Sequence, residues 1–148
     1  MTEHDFSLCS LTLFSEALQK NQGSWARVTG KSMVPVLKEN DLVSISPCLL
    51  SQLHYGDIVV FKRQNSLISH RVIKKARRNG ELLVMAKADT GFSLETFIGS
   101  KELLGKVTLV KKDKGVVCLD TWNARIFGLC LAFFLPCIAR LRYLLKKF

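Results

Sequence analysis

Paired cysteines are missing from this chain. The five cysteines, Cys9, Cys48, Cys118, Cys130 and Cys137, are odd in number. No two of them stand in a C-x-x-C spacing, so neither a disulfide framework nor a zinc site is expected. Thiols in apolar surroundings are the simpler reading. Acidic residues are scarce as well: 12 Asp and Glu face 22 Lys and Arg, a net charge of +10. Such an excess suits nucleic acid or an anionic membrane surface. Aromatic residues do not alternate with the basic ones as stacking platforms would require, which ranks nucleic acid last among partners. Residues 1–5 lack the basic start and apolar run of a cleavable secretory signal, so none is expected there. Helical patterns do not alternate with strand patterns, which disfavours a parallel α/β sheet.

What is present divides the chain into a β-rich body, 1–121, and an apolar end, 122–148. Residues 6–20 repeat apolar side chains with a helical period, predicting an amphipathic helix with a stop at Gly23. Short β-rich runs follow at 25–29, 42–46, 58–62, 67–74, 82–87 and 106–110. Asn79-Gly80 marks a hairpin between two of them, and Asp113-Lys114-Gly115 marks another turn, leading into 116–119. Lys74-Lys75 and Arg77-Arg78 read as a solvated turn. The fold class expected is mainly β: an antiparallel coiled sheet or partly open barrel. Residues 122–147 read as one helix containing Pro136. Its uninterrupted apolar part, 126–139, is shorter than the roughly 20 residues of a bilayer span. Counting through 145 reaches that length but takes in Arg140 and Arg142, each costing about 2.5–3.5 kcal/mol at a bilayer centre. Near an end, both can reach the surface. The helix is expected in or on a membrane, with packing on the β body as the alternative.

Four short patterns carry the chemistry, in order: Gly30-Lys31-Ser32-Met33-Val34-Pro35, Gly56-Asp57-Ile58-Val59, Ser69-His70-Arg71-Val72 and Lys87-Ala88-Asp89. Gly105-Lys106-Val107 closes the series. Ser32 is the candidate nucleophile, placed so that its own N–H can help hold an oxyanion. Gly30 leaves room for a substrate carbonyl, Met33 offers an adaptable apolar wall and Pro35 stiffens the chain. Strand alternation groups His70 with Ile68 and Val72. Burial on that face would keep the imidazole neutral and able to take the Ser32 proton. Asp89 is a candidate third member holding the other ring N–H; a salt bridge from Asp89 to Arg71 or Lys87 is the alternative, and Glu95 is a second carboxylate that could serve. His54 lies in an expected loop, a minor candidate.

This set resembles the signal peptidase I superfamily, which includes the self-cleaving LexA-type repressors. The pattern G-x-S-M-x-P is met at Gly30, Ser32, Met33 and Pro35, and G-D-[IV]-[VI] at Gly56 to Val59. His70-Arg71-Val72 is similar to the branch that uses a histidine base. The acidic motif departs from the usual G-D-N, reading Ala88-Asp89-Thr90. The resemblance implies cleavage of an extended preprotein, usually after a small residue, by Ser32 and His70 with Asp89. Gly30, Lys31, Met33 and Pro35 would bind substrate. It implies no cofactor or metal, and a location at a bacterial plasma membrane. A module of the same fold that binds peptide without cleaving it is the competing function. No Ala-Gly or Cys-Gly dipeptide precedes Ser32, so self-cleavage has no obvious site.

Overall fold

The structure, a computed structural model, describes residues 23–90 and 95–146 together with Glu16, Leu18 and Lys20. The strands are β1 (Ser24–Arg27), β2 (Leu42–Ser46), β3 (Ile58–Arg63), β4 (Ser66–Arg78), β5 (Glu81–Lys87), β6 (Thr96–Ile98), β7 (Leu103–Lys112) and β8 (Gly115–Cys118). One helix, α1 (Trp122–Lys146), follows them. The helix expected over 6–20 lies almost wholly outside the described residues; Glu16, Leu18 and Lys20 are helical, and Leu18 is buried.

All pairings among the described strands are antiparallel, in the order β1-β2-β7-β3-β4-β5-β6, with β8 added to β7. The sheet is open: its terminal strands, β1 and β6, are not joined. This is the mainly β, antiparallel architecture expected. The β-branched run Ile58-Val59-Val60 makes β3 the central strand, buried on both faces. Ile58 and Val60 enter a core with Leu18, Met33, Leu37, Val43, Ile45, Val107 and Val110. Val59 and Phe61 point the other way, into a core with Leu50, Leu53, Val72, Val84, Ala86 and Ile98. The alternation of a strand thus feeds two cores from one segment.

The basic run at 74–78 is strand, not the solvated turn expected. Lys74 to Arg78 pair with Met85 to Glu81, leaving the turn to Asn79 and Gly80 alone. Both have positive φ, 51° and 81°, as a two-residue hairpin turn of this kind requires. A strand tolerates this charge because Lys74, Arg77 and Arg78 are exposed to water and Lys75 Nζ donates to the Ser51 carbonyl at 3.1 Å.

Candidate active site

Ser32 sits in a turn that follows β1. The turn is closed by Leu37 N–H donating to Met33 O at 2.8 Å. Met33 and Leu37 are each only 1% exposed and pin the turn in the first core, which leaves the half-buried Ser32 facing outward. A cavity of about 560 Å³ opens there, and its walls include Gly30, Ser32, Met33, Val60, Ser69 and His70. The Ser32 hydroxyl donates a long bond, 3.5 Å, to the Ser69 carbonyl, next in sequence to His70. Two side chains far apart in the chain therefore share one groove. Gly30 lines it, and a Cβ there would meet open space. Lys31 and Pro35 are exposed on the turn.

His70 is held by β4, opposite Val59 of β3. Its ring packs edge-on against Phe61, centroids 5.7 Å apart at 66°. Burial pushes its pKa below the ordinary 6.5, and the positive charge of Arg63 adds to that. The imidazole is thus held neutral, as a base must be. Its Nδ1 is buried and has no hydrogen-bond partner among the described residues.

Asp89 is fully buried, but its carboxylate is engaged by Arg71. Arg71 Nε donates to Oδ1 at 2.8 Å and Nη2 to Oδ2 at 2.5 Å, while Nη1 donates to Gly56 O at 2.8 Å. Of the two expectations for Asp89, the geometry draws the Arg71 salt bridge. Burial raises the Asp89 carboxyl, with Arg71 pulling it back down. Glu95 is exposed. His54 is exposed too, and it serves Asp57 instead: its N–H donates to Asp57 Oδ2 at 2.8 Å.

Sequence reasoning passed over Thr90. Its N–H donates to Ser32 O at 3.1 Å, and its hydroxyl reaches Lys31 O at 3.0 Å and Ser32 O at 3.1 Å. The Arg71–Asp89 pair therefore fixes the segment that clamps the Ser32 turn. Also missed was an ion cluster that joins the helix to the sheet. Arg125 of α1 donates from Nε to buried Asp57 at 2.6 Å and pairs with Asp120, which Lys106 meets at 2.8 Å. The only signal for either was position: Thr90 follows a motif aspartate, and Asp57 belongs to the G-D pattern.

The model of one protein family, described as Peptidase S24-like, matches residues 3–107. That stretch takes in Ser32, His70 and Asp89 and ends in β7, short of α1. No curated protein matches the chain.

Proposed function

This chain belongs to the Peptidase S24-like family of serine peptidase fold, and we propose that it is a working endopeptidase using a Ser32–His70 dyad to cut signal or leader peptides from preproteins. One observation carries the reading: the Ser32 hydroxyl and a desolvated, neutral imidazole line the same groove. In the reaction, Ser32 Oγ attacks the scissile carbonyl and its proton passes to His70. The Ser32 N–H helps hold the oxyanion. His70 returns the proton to the leaving amine, and water then releases the acyl group by the same route in reverse. An extended substrate would lie along the groove and pair with a free strand edge beside β1. Asp89 acts at one remove, holding Arg71 and the Thr90 clamp.

The protein is further proposed to work at a membrane, a bacterial plasma membrane by the resemblance. Support comes from Trp122–Tyr143, 22 residues of mean hydropathy 1.8, a length and composition fit to cross a bilayer.

A second reading, a module of this fold that binds peptide without cutting it, draws support from the unpartnered Nδ1 of His70, where a triad would hold a carboxylate. Incubation in detergent with a panel of leader peptides separates the two. Cleavage by the wild type, lost in Ser32→Ala and in His70→Ala, is expected. Equal product from Ser32→Ala would end the catalytic assignment, and peptide binding with no turnover would favour the second reading.

A further inference from the structure

The residues that hold α1 to the sheet touch the neighbours of the residues the chemistry needs. Arg125, Gly128 and Ala132 lie on one stripe of the helix. Arg125 pairs with Asp57, which is 4% exposed, and Gly56 lets the helix come close: a Cβ on Gly56 would stand 2.6 Å from the Arg125 carbonyl oxygen. Gly128 is seated directly on Arg71, so that a Cβ there would overlap the guanidinium. Ala132 O accepts from Lys87 Nζ at 3.0 Å, two residues before Asp89.

Arg71 has nowhere to retreat. It is 2% exposed, and Nε, Nη1 and Nη2 are all committed to Asp89 and Gly56. Asp89 leads into Thr90, whose N–H and hydroxyl hold the Ser32 carbonyl. Arg71 itself follows His70. Displacing the guanidinium therefore disturbs both catalytic side chains, one through Thr90 and one through its neighbour in β4.

We propose that α1 is part of the scaffold of the active site, and that Gly128 is a positioning residue that keeps Arg71 on Asp89 and so fixes Ser32 relative to His70. The catalytic meaning rests on the peptidase reading; the mechanical link rests on the contacts alone. Helix propensity points the opposite way, because Gly→Ala inside a helix ordinarily stabilises it.

The test uses the full chain in detergent, with two readouts: steady-state cleavage of a leader peptide and amide exchange at Thr90. In Gly128→Ala, kcat is expected to fall at least about tenfold with KM held within about twofold. The Thr90 amide is expected to exchange at least about tenfold faster. Neither further change is expected when Gly128→Ala is placed on Arg71→Ala, where the obstructing guanidinium is gone. Lys87→Met, which releases the helix at Ala132, is expected to move both readouts the same way by less, and carries the test should Gly128→Ala not fold. Wild-type kcat and Thr90 exchange in both single variants would overturn the proposal, as would an equal loss on the Arg71→Ala background. A wild-type protein that cleaves nothing, with Thr90 exchange still rising in Gly128→Ala, would remove the peptidase reading and keep the mechanical link.

Discussion

His70 feels one charged neighbour at a distance. Arg63 disfavours the imidazolium, and Arg63 is itself paired with Glu102, Nη2 to Oε1 at 3.1 Å. Removing the arginine charge in Arg63→Gln should raise the His70 pKa and move the acid limb of kcat/KM to higher pH. Removing its partner in Glu102→Gln should leave Arg63 less compensated and move that limb lower. Opposite shifts in pH–rate profiles at low salt check both, and added salt should shrink them. Because burial is the larger cause, the limb should stay below 6.5 in either variant. The same lowered value means that the unfolded chain takes a proton more readily than the folded one. Stability is therefore lost as pH falls through 6.5 toward the folded value. Asp89 makes a different kind of claim. Its removal in Asp89→Ala leaves Arg71 buried and unpaired, at a cost of about 3–5 kcal/mol in urea unfolding. A cost under about 1 kcal/mol, the range of an exposed pair, would argue that the pair is not buried in solution.

At the scale of elements, the strands were the most legible part. Runs of Val, Ile and Leu between turn residues name β2, β3 and β5 almost to the residue, because a half-buried pleated surface selects those side chains. Two elements escaped for physical reasons. β6 is three residues long and carries no period to read. The far half of β4 is basic, and its order comes from the ladder to β5, which no local pattern records. The hairpin between them makes a checkable point. Gly80 has φ of 81° and open space where a Cβ would go, so Gly80→Ala meets only backbone strain. It is expected to cost about 1–2 kcal/mol in urea unfolding, with cleavage unchanged. The helix was legible in extent, but its use was not: apolar content announces burial in something, and only the seats at Arg125, Gly128 and Ala132 show that its first turns meet protein.

For the molecule as a whole, α1 divides at Ala132. Beyond it Phe133, Phe134, Ile138, Leu141 and Leu145 are all exposed, between 48% and 68%. These exposed apolar side chains are expected to enter lipid. Flotation with anionic vesicles should be retained by the wild type and should fall at least about tenfold in the Phe133→Asp/Phe134→Asp double variant, which sets two charges where apolar area was. Unchanged flotation would place the lipid contact elsewhere. The groove was legible as a list, since Ser32 and His70 stand in ordered motifs. Its supports were not, because Thr90, Arg125 and Gly128 act through contacts made only once the chain has folded. One strand sets the behaviour of the rest. β3 lends alternate side chains to both cores, so neither half has an interior without it. The two halves should melt as one cooperative unit, with Trp25 and Trp122 fluorescence and far-ultraviolet dichroism tracing a single superimposable curve.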